Sequence, residues 1–334
     1  MAGIMRKIQA KIKKMAKNFR LAFEQIKKAN NILLVTHAKP DGDAVSSICA
    51  MMLILEQIGK NYTAYCKDPA PKQFLFLPRS EKIITNKKDI KFSDFDTIIS
   101  LDCGSLSRTT LIEEIKTKKA YQKVIEFDHH IKIDNFSEIE VRDPVAASTT
   151  EVLYHFIKTV NLRFNKNIAN CILTGILTDT ANFLYPSTSE NTIQIASDML
   201  IYGAKFPQIT EEAYRNKSIG AMKLWGKAIE NLQINPKYKI AYTILKDEDI
   251  STCDCDEEEL EGIAGFMGNM DNINALLFLR ETKNGGYKGS MRTSLDEIDV
   301  SRLANKLGGG GHKKASGFFI DVNIEKENNR WLIK

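Results

Sequence analysis

The sequence predicts an α/β fold, with an N-terminal domain built on a parallel sheet and a smaller C-terminal α+β domain. Three observations predict it. Between Asn30 and Phe127, apolar runs of strand length alternate with polar turns and helical stretches, the repeating unit of a parallel sheet. Several of those runs end on carboxylates or imidazoles, and open α/β sheets gather their chemistry at strand ends. Beyond Trp225 the pattern changes: Asn235-Pro236 breaks the helical periodicity, and short strands joined by a turn at Asn284-Gly285-Gly286 follow.

At 334 residues and 43% hydrophobic content, the chain is long enough for two ordinary domains, each with its own core. No apolar run is long enough to cross a bilayer. The N-terminus lacks the apolar core and cleavage site of a secretory signal, so the expected location is the cytoplasm. Cys49, Cys66, Cys103, Cys171, Cys253 and Cys255 lack the C-x-x-C pairing of a zinc site, and most sit in apolar surroundings. The acidic neighbours of Cys253 and Cys255 disfavour a redox role. The formal charge of +5 is unevenly divided. Residues 1–28 hold nine Lys or Arg and one Glu, leaving 38 basic and 41 acidic residues in the remainder. A body this neutral is not expected to form a stable complex with long nucleic acid by charge alone.

Taken in order, Ile4, Ile8, Ile12, Met15, Phe19, Phe23 and Ile26 recur at three- and four-residue steps, which predicts a basic amphipathic helical arm over residues 1–29. Such an arm packs on the neighbouring domain or a second subunit, or else touches a membrane surface or RNA. A strand from Ile32 to Thr36 leads into a turn with His37, Asp41 and Asp43, then a helix from about Ala44 to Ile58. Further strands are expected at Tyr62–Cys66, Thr97–Leu101 and Val124–Phe127. Helices fill most of Ser148 to Ile219. The first domain thus spans residues 30–218, a linker helix 219–236, and the second domain 237–334. In the latter, strands are expected at Lys239–Ile244, Ala275–Arg280 and Tyr287–Arg292, with a helix at Glu257–Met267. A short helix behind an Asp299 cap ends at Gly308–Gly311.

Four segments bring metal-ligating side chains to what reads as four strand ends: His37, Asp41 and Asp43; Asp102; Asp128, His129 and His130; and Asp179 after Leu173–Thr178. A lone Asp in such a place more often caps a helix, but four in one domain make a poor coincidence. His37, Asp41, Asp43, Asp102, His129 and Asp179 form a set of two imidazoles and four carboxylates, with Asp102 placed to bridge two ions. Oxygen-rich ligation with some imidazole suits manganese, with magnesium or iron as alternatives. Two such ions suit phosphate-ester chemistry. In the second domain, Ser290 and Arg292 end a strand, and Gly308–Gly311 precede His312. Consecutive glycines let backbone N–H groups approach an anion, and the Arg and His add donors.

The segments His37-Ala-Lys-Pro-Asp41-Gly-Asp43-Ala, Asp102-Cys-Gly-Ser-Leu-Ser-Arg108, Asp128-His129-His130 and Thr178-Asp179-Thr180 resemble the four motifs of the DHH phosphoesterase superfamily, in that family's order. Gly308-Gly-Gly-Gly-His-Lys-Lys-Ala315 after Ser290-x-Arg292 resembles its DHH-associated C-terminal domain. The resemblance covers about Asn30 to Phe319 and implies two domains with an active-site cleft between them. It implies His37 and Asp41 on one metal ion, Asp43, His129 and Asp179 on the other, Asp102 bridging, and His130 facing the substrate phosphate as electrophile or general acid. Asp128 is expected to orient imidazole ligands. Arg108, Ser290, Arg292, Gly309, Gly310, Gly311 and His312 are expected to bind substrate. Ser46 and Leu184 depart from the pattern, at places where relatives often carry Gly and Arg.

Within the superfamily, the two-domain chain is similar to the nanoRNase and pAp phosphatase group. This implies manganese-dependent hydrolysis of short oligoribonucleotides and of adenosine 3′,5′-bisphosphate (pAp). A phosphodiesterase acting on cyclic dinucleotides or pApA is the alternative within the fold. A non-catalytic nucleotide-binding regulator is disfavoured, because all six ligands are present. A homodimer is compatible with the sequence.

Overall fold

The computed structural model describes residues 2–214, 217–253, 260, 262–327 and 330–333. The chain divides into two compact units, Met1–Asn216 and Lys217–Lys334. Among the described residues no helix is long and apolar enough to cross a membrane.

The first unit runs α1 (Ala2–Lys28), β1 (Asn31–Val35), α2 (Gly42–Gln57), β2 (Asn61–Tyr65), β3 (Ile83–Ile84), β4 (Thr97–Leu101), α3 (Ile112–Lys116), β5 (Lys123–Asp128) and β6 (Ile139–Arg142). Four helices follow: α4 (Thr149–Thr159), α5 (Lys166–Asp179), α6 (Glu190–Ile201) and α7 (Phe206–Tyr214). The six strands pair in parallel in the order β3-β2-β1-β4-β5-β6. The chain moves one way from β1 to β2 and β3, then returns to β1's other side with β4. That reversal makes the carboxyl ends of β1 and β4 the switch point at which open α/β sheets bind ligands.

The Ile-Leu-Val runs form strands buried on both faces, as a sheet covered by helices requires. In β1, Ile32 and Leu34 enter one core while Leu33 and Val35 enter the other. α2 is buried from Gly42 to Leu55, which explains a helix apolar on almost every side. The α1 stripe packs on this unit from Met15 onward, with Phe19, Ala22 and Ile26 in the main core and the Phe19 and Phe23 rings 6.0 and 6.1 Å from Phe156.

Two expectations change here. Leu173–Asp179 is the C-terminal half of α5, so Asp179 arrives on a helix end and not a strand end. β3 and β6 join the sheet although the sequence reading assigned no strand to either.

The second unit contains α8 (Ile219–Glu230), β7 (Gln233–Asn235), β8 (Ile240–Leu245), α9 (Asp247–Ser251), α10 (Ile263–Met267), β9 (Ala275–Glu281), β10 (Tyr287–Arg292), α11 (Ser301–Lys306), β11 (Gly310–Gly311) and β12 (Ala315–Ile320). Its sheet order is β11-β12-β10-β9-β8-β7, with β8 and β9 parallel and the other pairs antiparallel. A separate hairpin joins β13 (Ile324–Glu327) to β14 (Arg330–Ile333). Leu224 and Ala228 of α8 lie in this unit's own core with Ala241 and Leu276. Of the helix expected at Glu257–Met267, residues 257–259 and 261 lie outside the described residues, as does Cys255. Asp299 accepts from the Ser301 N–H at 3.1 Å, at the start of α11.

Candidate metal centre

The first candidate ligands follow from the turn after β1. Thr36 donates its hydroxyl to Leu101 O at 2.9 Å, tying this turn to the end of β4. His37 is buried, with Nδ1 2.9 Å from Ala38 O, which directs Nε2 away from the backbone. Asp41 is the N-cap of α2: its Oδ1 accepts from Ala44 N at 3.0 Å. The other oxygen, Oδ2, stands 3.7 Å from His37 Nε2. Asp41 therefore both caps a helix and points a carboxylate oxygen at an imidazole.

Asp102 directly follows β4 in a left-handed conformation, φ 60°, held by its N–H to Phe127 O at 3.0 Å. Its side chain is 2% exposed and faces two ways. Oδ2 lies 3.7 Å from His37 Nε2, while Oδ1 lies 3.6 Å from His129 Nε2 and accepts from Thr149 Oγ1 at 2.8 Å. His37 Nε2 has no hydrogen-bond partner although it is buried, an arrangement proteins avoid unless something else binds there.

The second group assembles from three helices and β5. Asp43, fully buried in the first turn of α2, accepts from Thr149 N at 2.6 Å, Thr150 N at 3.1 Å and Thr150 Oγ1 at 2.9 Å. The N-terminus of α4 thus fixes it. Gly175 of α5 makes room for this carboxylate, since a Cβ there would fall 2.4 Å from Asp43 Oδ1 and 2.3 Å from Thr150 Oγ1. His129 sets Nδ1 3.3 Å from Ala146 O and Nε2 3.0 Å from Asp179 Oδ2.

His37, Asp41 and Asp102 each offer a ligating atom within 4.8 Å of the others, and so do Asp43, His129 and Asp179. Burial, with the charge of Asp179 adding, pushes Asp43 up to about 7. Burial and then the charges of Asp43 and Asp41 push Asp102 well above the usual carboxylate range. Burial lowers His129, but Asp179 more than reverses this and holds it well above an ordinary histidine. The fold concentrates buried negative charge that protons alone neutralise poorly, and a dication answers that charge directly. The donor set and the orphaned nitrogen both fit metal ions.

Asp128 is bonded to the neighbouring imidazole His130: Oδ1 accepts from His130 N at 2.7 Å and faces His130 Nδ1 at 2.8 Å, and Oδ2 accepts from Gly104 N at 2.6 Å. Burial raises the Asp128 carboxyl, but its bonds to His130 and the charge of Arg142 outweigh this and hold it below the usual range. Burial lowers His130, with Asp128 opposing. Arg142, at the end of β6, was not anticipated. It donates to His130 O at 2.6 Å, lies 3.4 Å from Asp128 Oδ2, and contacts the buried Glu126. A Glu inside the apolar strand Val124–Phe127 was the available signal, because such a residue needs a buried partner. Arg108 is half-buried, and its carbonyl accepts from Ala38 N at 3.2 Å, joining the loop after β4 to the turn after β1. Leu184 is 67% exposed and follows three consecutive left-handed residues, Ala181, Asn182 and Phe183. Ser46 Oγ is buried without a hydrogen-bond partner.

In the second unit, pairing places Ser290 opposite Gly317, Gly317 opposite Gly310, and Arg292 opposite Ala315. Ser290 and Arg292 therefore share one end of the sheet with the glycine run and His312. Arg292 Nη1 donates to Met291 O at 2.9 Å. The glycines have a packing reason of their own: a Cβ on Gly309 would fall 2.1 Å from Gly317 O, and Gly311, at φ 134°, would meet Ala315 O at 2.6 Å. His312 N donates to Ala315 O at 2.7 Å, closing the turn into β12.

Residues 31–176 match the DHH family, N-terminal domain, and residues 237–330 match the DHHA1 domain. A Thermus thermophilus protein named bifunctional oligoribonuclease and PAP phosphatase NrnA is 29% identical over 300 residues, covering 89% of this chain and 87% of that protein. A Bacillus subtilis protein of the same name is 25% identical over 87% of this chain and 90% of its own length. The crystal structure of an exopolyphosphatase-related protein from Bacteroides fragilis is 26% identical, with a TM-score of 0.84 over 90% of each chain.

Proposed function

The chain belongs to the DHH phosphoesterases, with a DHHA1 domain following the DHH domain, and on that premise we propose that it uses two manganese ions to hydrolyse short oligoribonucleotides to mononucleotides and pAp to AMP. The names of its relatives in Thermus thermophilus and Bacillus subtilis support this substrate class. The observation that carries the two-ion reading is Asp102, one buried carboxylate with Oδ2 toward His37 and Oδ1 toward His129.

His37 and Asp41 would hold one ion and Asp43, His129 and Asp179 the other, with Asp102 contributing a carboxylate oxygen to each group. Divalent ions bound there would make water acidic enough to attack at neutral pH and would offset the charge of the phosphate. Oxygen-rich ligation with imidazole favours manganese, with magnesium or iron as substitutes. In the hydrolysis the attacking water gives up a proton to solvent and its oxygen bonds to phosphorus, the bond from phosphorus to the leaving oxygen breaks, and that oxygen takes up a proton. His130 is the proton donor. Its Nδ1 is held by Asp128, which supports an imidazolium, and an incoming phosphate adds a further opposite charge that favours the same form. Arg108 steadies the phosphate from the loop after β4. Ser290, Arg292, His312 and the bare backbone of Gly309, Gly310 and Gly311 bind the nucleotide's terminal phosphate, the Gly309 N–H itself being taken by Ala304 O at 2.8 Å.

Product analysis tests this reading, using a labelled dinucleotide, a five-nucleotide RNA, pAp and cyclic di-AMP, each with manganese. Mononucleotides from the two RNAs and AMP from pAp are expected, with cyclic di-AMP left intact. Turnover of cyclic di-AMP alone would overturn the substrate assignment.

A further inference from the structure

Nothing in the sequence motifs assigns a part to Arg142, yet its guanidinium reaches three pieces of the catalytic loop region at once. Nη1 donates to His130 O at 2.6 Å. Nη2 lies 3.4 Å from Asp128 Oδ2 and 3.5 Å from Gly104 O, and also contacts Glu126. The side chain is 3% exposed, so these contacts form out of water, where they hold geometry most firmly. The β5–β6 register sets Arg142 directly opposite Asp128 and Glu126 opposite Glu140. Ser137 Oγ donates to the second Glu126 oxygen at 3.1 Å. Glu126 is therefore anchored to the β5–β6 connection, and Arg142 carries that anchor to the loop after β4 and to the Asp128-His130 pair.

We propose that Arg142 is a positioning residue for the hydrolysis: its planar fork fixes the His130 backbone and the Asp128 carboxylate, and through them the imidazole that meets the reacting phosphate. This rests on the reading of His130 as the group facing that phosphate. An ammonium cannot reproduce the fork. A lysine at 142 could keep a charge beside Glu126 but would not span His130 O, Asp128 and Gly104 together. A purely structural account makes a different claim, namely that Arg142 only neutralises Glu126. A buried ion pair kept for that reason can be replaced by apolar side chains with little loss of stability, and activity would return along with stability.

The test compares the full-length, manganese-loaded parent with Arg142→Lys, with Glu126→Met/Arg142→Met, and with His130→Ala as reference, reading kcat, KM, manganese content and thermal midpoint on the dinucleotide. Arg142→Lys should lower kcat by about ten- to a hundredfold, since small misplacements of a reacting group cost this much. KM and bound manganese should stay near the parent. The double variant should recover the parent's thermal midpoint while its kcat stays low. Parental kcat in Arg142→Lys, or recovery of kcat together with stability in the double variant, would overturn the positioning role. Parental kcat in His130→Ala would instead remove the premise about His130 and the inference with it.

Discussion

Nε2 of His37 and Oδ2 of Asp102 stand 3.7 Å apart, both buried. That gap is too long for a hydrogen bond. One divalent ion could still reach both atoms, since two bonds of about 2.1 Å span up to about 4.2 Å. The same carboxylate repeats the relation with His129 through its other oxygen, at 3.6 Å. The spacing makes sense when Asp102 is read as the member shared by two groups of ligands.

Asp102→Asn keeps the side-chain shape and removes the charge that both groups share. Manganese retained after gel filtration should fall below the parent's two equivalents, and kcat should drop further than for the same change at Asp41 or Asp179. Two tightly held equivalents in Asp102→Asn would show that the carboxylate does not bridge.

The metal-free protein should lose stability as pH rises from 5 to 8. Burial, and then Asp179, hold Asp43 at about 7 in the fold against 3.8 for an ordinary aspartate. A raised pKa means that the protonated form favours folding. That contribution is complete below about pH 4 and is lost as pH climbs through 7. His130 is lowered by burial and works in the opposite sense near pH 6.5, so the comparison is made against Asp43→Asn, which keeps His130. The parent's thermal midpoint should fall more steeply over this interval than the variant's, and the rise on adding manganese should grow with pH. Parallel curves would mean that Asp43 is not the titrating group.

Much of this centre was legible because its grammar is local. His37, Asp41 and Asp43 share one strand–turn–helix passage, and Asp102 and His129 follow apolar runs that could only be buried strands. The Leu173–Asp179 run is seven residues long, a length at which strand and buried helix look alike, and only its packing against α2 and α4 decides for α5. The Glu126–Arg142 pair was illegible for another reason. Its partners sit on strands that the 3.6- and 2-residue periods cannot align, and β6 has only four residues. The glycine run reads in the sequence as an anion-binding loop, whereas the demand on Gly309 that the structure shows comes from the backbone of β12, to which the sequence reading assigned no strand.

Gly175→Ala should damage the centre from outside the ligand set. The added methyl would collide with Asp43 and Thr150, both held rigidly at the start of α4. A loss of about 1–3 kcal/mol is expected for such overpacking, together with weaker manganese binding in calorimetry. An unchanged thermal midpoint and metal affinity would show that α5 can shift away from Asp43.

His312→Ala and Arg292→Ala should separate recognition from chemistry. Losing a charge-assisted hydrogen bond costs about 1.5–3 kcal/mol, or roughly ten- to more than a hundredfold in kcat/KM. Hydrolysis of the dinucleotide and of pAp should fall by that order, while manganese-dependent cleavage of bis(p-nitrophenyl) phosphate stays near the parent. Equal losses on both kinds of ester, with metal retained, would place these residues at the reacting phosphate itself.

The shared carboxylate is tested most directly by electron paramagnetic resonance of the manganese-loaded protein. Two ions bridged by Asp102 lie close enough to couple, so the parent at two equivalents should give an exchange-coupled spectrum, and Asp102→Asn should lose it. The six-line signal of isolated manganese in the parent at two bound equivalents, or saturation at a single equivalent, would contradict a two-ion centre built on Asp102.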